Sequence, residues 1–135
     1  LLGIKNDTLI GGAGNDILEV EGENNTLTGG PGADIFVLGA GRNTITDFRL
    51  EDQIQISDSI LNPSTEYISE LQAGPAFVVN ETFNLGSNSG LRYLSSEGKL
   101  IYDADGGDFS TGGKLLVTLS NTPSLESISG QVSII

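Results

Sequence analysis

Gly11-Gly12-Ala13-Gly14-Asn15-Asp16-Ile17-Leu18-Glu19 decides the fold of this chain, because its pattern returns as Gly29-Gly30-Pro31-Gly32-Ala33-Asp34-Ile35-Phe36-Val37. Both stretches read G-G-x-G-x-D-x-U-x, with U a large apolar residue. Working outward in the same nine-residue frame, the eighth position is Leu9, Leu18, Leu27, Phe36, Ile45 and Ile54. A glycine-rich turn admits positive φ and close backbone approach. A short strand then follows, and its middle residue points opposite to its neighbours. Position eight is that middle residue, so it fills the interior of a stacked structure.

The frame supports a coil of two units. Thr8, Thr26 and Thr44 recur at every second unit, as do Ile17 and Ile35. Like residues stacked on like form ladders between neighbouring strands. The turns therefore sort onto two edges. Residues 11–16, 29–34 and 47–52 make the first edge, and residues 2–7, 20–25 and 38–43 the second. The predicted fold is all-β: a parallel β-roll over residues 1–57, followed over 58–135 by a small antiparallel β cap.

Position six carries the chemistry. Calcium is a hard cation that takes six to eight oxygens, from carboxylates and carbonyls. On the first edge position six is Asp16, Asp34 and Asp52, so each adjacent pair of turns supplies two carboxylates beside a carbonyl-rich loop. The expected ligands come from Gly11, Ala13, Asp16, Gly29, Gly30, Pro31, Gly32, Asp34, Asp47 and Asp52. Several calcium ions are expected, at least two: one between turns 11–16 and 29–34, another between 29–34 and 47–52. On the second edge position six is Asp7, Asn25 and Asn43. Lys5 and Arg42 add repulsion there, which Glu21 and Glu23 offset in part, so Asp7 and Asn25 mark a weak or empty site. Asp103-Ala104-Asp105-Gly106-Gly107-Asp108 imitates a helix–loop–helix calcium loop. It fails because Gly107 replaces a ligand and Lys114 stands where a bidentate glutamate belongs. Asp103, Asp105 and Asp108 remain a minor alternative site beside the plainer reading of a polar turn.

Composition narrows the function. The net charge of −12 over 135 residues disfavours nucleic acid and anionic membranes. Without Cys or His there is no disulfide, thiolate or imidazole ligand, and no Cys or His nucleophile. No stretch is long enough to span a bilayer, so no stable membrane insertion is expected, and no basic-then-apolar signal peptide opens the chain. The opening Leu2-Gly3-Ile4-Lys5-Asn6-Asp7 lies inside a repeat and reads as part of a longer protein. A monomer is expected.

The nonapeptides resemble the calcium-binding repeats of RTX (hemolysin-type) proteins. Thr44-Ile45-Thr46-Asp47-Phe48-Arg49-Leu50-Glu51-Asp52-Gln53-Ile54-Gln55-Ile56-Ser57 is similar to the segment that closes such arrays, with Phe48 turned inward as a cap. Beyond a loop at 58–76 come candidate strands at Ala76–Asn80, Leu91–Leu94, Lys99–Tyr102, Lys114–Leu119 and Gln131–Ile135, with Ser95-Ser96-Glu97-Gly98 as a hairpin turn. Tyr93, then Gly98-Lys99-Leu100-Ile101-Tyr102-Asp103-Ala104-Asp105-Gly106, Leu115, Leu119, Pro123, Leu125 and Val132-Ser133-Ile134-Ile135 resemble the C-terminal region of serralysin-like and related secreted bacterial proteins. Gln131 and Ser133 stand where many relatives carry an acid.

The resemblance implies a non-catalytic module that folds on binding calcium. It also implies type I secretion machinery as a partner, an uncleaved C-terminal signal and an extracellular destination. Alternatives are an adhesin or surface-layer segment, or the accessory domain of a secreted hydrolase.

Overall fold

The computed structural model describes residues 2–39, 42–56, 74–75, 78–79, 82–84, 90–94, 97–103, 114–124 and 131–134. Among them there are strands and turns and no helix. The first seven strands are β1 (Leu2–Gly3), β2 (Thr8–Ile10), β3 (Ile17–Val20), β4 (Thr26–Thr28), β5 (Ile35–Leu38), β6 (Asn43–Ile45) and β7 (Gln53–Ile56). They alternate between two sheets. β1, β3, β5 and β7 stack in parallel in one, and β2, β4 and β6 in the other.

The register is the one that the eighteen-residue coil requires. Thr8 pairs with Thr26 and Thr26 with Thr44. Ile17 pairs with Ile35, and Leu18 with Phe36. Position eight is buried in all six units: Leu9, Leu18, Leu27, Phe36, Ile45 and Ile54. Strands β3, β5 and β7 are one residue longer than β2, β4 and β6. The reason lies in position one of the following unit. Val20, Leu38 and Ile56 stand there in place of glycine, extend the strand and add a second buried column. Burial of each such side chain contributes about 1.5–3 kcal/mol. Phe48 is buried against Phe36, ring centroids 6.4 Å apart, as the array-closing segment led us to expect.

The second half differs in part from expectation. Its strands are β8 (Gly74–Pro75), β9 (Val78–Val79), β10 (Thr82–Asn84), β11 (Gly90–Leu94), β12 (Lys99–Asp103), β13 (Lys114–Leu119) and β14 (Val132–Ile134). β9 to β13 form the expected antiparallel ribbon. The ribbon does not simply sit on the end of the roll, however. β13 joins β6 in parallel, setting Thr118 beside Thr44 and Leu119 beside Ile45. β14 joins β7 in parallel, setting Val132 beside Ile54. Both sheets therefore run on into the second half, and the pairing covers edges that would otherwise be open. Leu100, Leu116, Val117, Leu119 and Val132 share one buried core with the roll.

Gly74 and Pro75, expected in a loop, form β8 at the outer edge of the first sheet, where a proline removes no ladder bond. β10 was not foreseen. The rest of the expected loop at 58–76, and residues 95 and 96 of the hairpin turn, lie outside the described residues.

Candidate metal centre

The first edge is held by a ladder of aspartates. The Asp16 backbone N–H donates to Asp34 Oδ1 at 2.9 Å, and the Asp34 N–H donates to Asp52 Oδ1 at 2.9 Å. Asp34 and Asp52 thus each use one carboxylate oxygen to bind the preceding coil. The other oxygens of Asp16 and Asp34 are buried and meet no hydrogen-bond donor. A buried carboxylate oxygen without a partner carries an uncompensated desolvation cost of about 1–3 kcal/mol or more. A cation removes that cost.

The surroundings of these oxygens suit a hard cation. A methyl group built on Gly11 would lie 2.7 Å from both Asp16 Oδ2 and the Gly29 carbonyl oxygen. Two oxygens therefore converge on a space left open by the missing side chain. The same construction at Gly29 strikes Asp34 Oδ2. Backbone pairing brings turns 11–16 and 29–34 together: Gly11 N–H donates to Thr28 O, Gly12 N–H to Gly29 O and Gly14 N–H to Pro31 O. Asn15 Oδ1 accepts the Ala33 N–H at 2.9 Å. Gly12, Gly14, Gly30 and Gly32 all have positive φ, from 98° to 138°. At Gly32 a side chain would also strike the Gly14 carbonyl, so position four of the lower turn admits glycine alone. Among the described residues no three acidic side chains gather at one point. The donor set is therefore two carboxylates and several carbonyls, which is calcium-like oxygen chemistry.

Turn 47–52 meets turn 29–34 differently. Asp47 accepts the Gly29 N–H on Oδ1 at 3.0 Å and the Gly30 N–H on Oδ2 at 2.8 Å. Its carboxylate thus does what a backbone carbonyl does one coil earlier. Arg49 Nη1 donates to the Gly30 carbonyl at 2.8 Å. Asp52 Oδ2 accepts the Arg49 N–H at 2.8 Å. Asp47, Arg49 and Asp52 tie off the last glycine-rich turn. Sequence reasoning had Asp47 only as a ligand and missed Arg49, whose signal was its place directly after Phe48 in the closing segment. Burial raises the Asp52 pKa from its ordinary 3.8; the Asp34 and Arg49 amides pull it back, and the charges of Asp34 and Glu51 push it up.

The second edge has another kind of turn. Its positive-φ residues are Asn6, Asn24 and Arg42, at position five, with φ of 58° to 64°. Asp7 N–H donates to Asn25 Oδ1 at 2.8 Å and Asn25 N–H to Asn43 Oδ1 at 2.9 Å. Asp7 Oδ2 accepts the Ile4 N–H at 2.8 Å, so that oxygen is partnered within its own turn. Lys5 and Glu23 form an exposed ion pair at 3.4 Å. Asp103 ends β12 opposite Gly90, while Asp105 and Asp108 lie outside the described residues.

The fold and site together define a parallel β-roll with buried, unpartnered carboxylate oxygens on one edge. A family model, the RTX calcium-binding nonapeptide repeat in four copies, matches residues 3–26 and 10–45. Residues 3–45 are thus similar to RTX calcium-binding repeats, and such repeats indicate calcium binding. No curated protein and no solved structure matches the chain. Among the described residues no helix is long and apolar enough to cross a membrane.

Proposed function

We propose that the chain is a non-catalytic calcium-binding module that orders when calcium arrives. The observation that carries this reading is the pair of buried, unpartnered oxygens, Asp16 Oδ2 and Asp34 Oδ2. Calcium would be held by Asp16, Asp34 and Asp52 with carbonyls of residues 11–13 and 29–32, with at least two ions along the first edge. Asp47 contributes through lone pairs beyond those that accept Gly29 and Gly30.

Bound calcium supplies positive charge among stacked carboxylates. Without it, Asp16, Asp34 and Asp52 repel one another, and ordering the glycine-rich turns is entropically costly. Binding free energy then becomes folding free energy. Two carboxylates per site imply an affinity of about 10⁻⁴ to 10⁻³ M, in the range of extracellular modules.

Such a chain stays open where calcium is scarce and folds where it is abundant. With the resemblance of residues 93–135 to secreted relatives, this supports a role in type I export of a larger extracellular protein. Residues 1–57 are the calcium-binding part and residues 58–135 the cap and signal. Circular dichroism of the chain in millimolar calcium and in excess chelator tests the folding switch. A β-rich spectrum in calcium that collapses on chelation is expected; an unchanged spectrum overturns it.

A further inference from the structure

We propose that the side-chain amides of Asn25 and Asn43 take the place of a cation on the second edge, so that this edge stacks without metal. The inference rests on the calcium reading of the first edge.

Both edges use the same ladder, in which a position-six oxygen accepts the N–H one coil earlier. They differ in what the other side-chain atom does. On the first edge it is, in Asp16 and Asp34, a bare oxygen, buried and unpartnered, whereas Asp52 Oδ2 accepts the Arg49 N–H. On the second it is an NH₂ group surrounded by oxygens. Asn25 Nδ2 lies 3.1 Å from Gly22 O, 3.1 Å from Asn43 Oδ1 and 3.5 Å from Ile4 O. Asn43 Nδ2 donates to the same Gly22 carbonyl at 3.1 Å.

The amide orientations are fixed by their partners. Asn25 Oδ1 must be the acceptor because Asp7 offers an N–H, and Asn25 Nδ2 must be the donor because Gly22 offers a carbonyl. The same reasoning holds for Asn43, between the Asn25 N–H and Gly22 O. Carbonyls that would otherwise face a cation face hydrogen-bond donors instead. Asn25 and Asn43 are buried, and a neutral amide satisfies its neighbours there without the charge that a carboxylate would bring. Gly22 is essential to the arrangement, since a side chain on it would strike the Ile4 carbonyl.

Exchanging the amides for carboxylates should therefore create a calcium site. Calcium stoichiometry is measured by calorimetry and native mass spectrometry on the whole chain, its N25D/N43D variant and its D16N/D34N variant. N25D/N43D is expected to bind at least one additional ion and to need more calcium to fold; no gain in ions overturns the inference. Loss of binding in D16N/D34N is the separate test of the first edge. If the unaltered chain binds no calcium, that reading fails and this inference with it; a chain that binds calcium but gains no ion in N25D/N43D overturns this inference alone.

A measurement on the unaltered chain guards against a variant that does not fold. Gadolinium replaces calcium, and NMR reads paramagnetic broadening. The Gly12 and Gly30 amides should vanish while the Asn25 and Asn43 side-chain amides persist. Broadening of those two side chains overturns the inference.

Discussion

Asp34 Oδ1 accepts the Asp16 backbone N–H at 2.9 Å while Asp34 Oδ2, on the same carboxylate, is buried without a donor. One oxygen builds the roll, and the other is the one that the proposed function assigns to a cation. The two roles are separable. Asp34→Asn keeps an oxygen for the Asp16 N–H and removes the charge. It should weaken calcium binding by about tenfold or more, roughly 1.4 kcal/mol per decade, and calorimetry reads the change. Asp34→Ala loses the ladder bond as well and should also lower the thermal midpoint in saturating calcium. Equal stability of the two variants in calcium would contradict this division.

Turn glycines should differ in their tolerance. Gly12→Ala meets open space, and its cost comes from φ of 116° alone, about 1–3 kcal/mol. Gly32→Ala adds a collision with the Gly14 carbonyl to φ of 138°. Calcium-dependent folding followed by circular dichroism should survive the first change with a raised calcium midpoint and be lost in the second.

Arg42 holds a left-handed φ of 64° on the second edge, where its two counterparts are Asn6 and Asn24. A non-glycine residue there costs about 1–2 kcal/mol, and asparagine costs less. Arg42→Gly or Arg42→Asn should raise the thermal midpoint in saturating calcium, and should leave calcium stoichiometry unchanged.

The pH response follows from Asp52, whose pKa burial raises in the fold. A raised folded-state pKa means that the protonated form favours folding. The contribution is fully present below the ordinary 3.8 and is lost as pH rises through the folded-state value. In chelator, the chain should therefore be more ordered near the lower end of the carboxylate range than at neutrality. Asp52→Asn should flatten that dependence. With calcium present the neighbouring positive charge favours the carboxylate, so the slope should reverse. Circular dichroism against pH, with and without calcium, gives all of these curves.

Much of the roll was legible because its determinants are local and repeated. The frame through Leu9 to Ile54 set the interior, and Thr8, Thr26 and Thr44 set the register. Inward burial of Phe48 followed from its place in the closing segment. The charge deficit of the second edge was legible at Asn25 and Asn43. Their positive role was not, because it depends on where Nδ2 points relative to Gly22 O. The different turn on that edge was equally hidden, although Val20 and Leu38 at position one and Asn6 and Asn24 at position five carry it. The pairing of β13 with β6 and of β14 with β7 joins segments far apart in the chain, and such pairing leaves no period to read. The charge of Asp47 was visible in sequence, while its acceptance of the Gly29 and Gly30 amides, which depends on how the turns stack, was not.

On the proposed function, calcium lies along one edge only. A crystal structure of the chain in calcium, with ions located by anomalous scattering, tests it most directly. Peaks are expected beside Asp16 and Asp34, between turns 11–16 and 29–34 and between 29–34 and 47–52, and none beside Asn25 and Asn43. Peaks beside Asp7 and Asn25, with none beside Asp16 and Asp34, would contradict it.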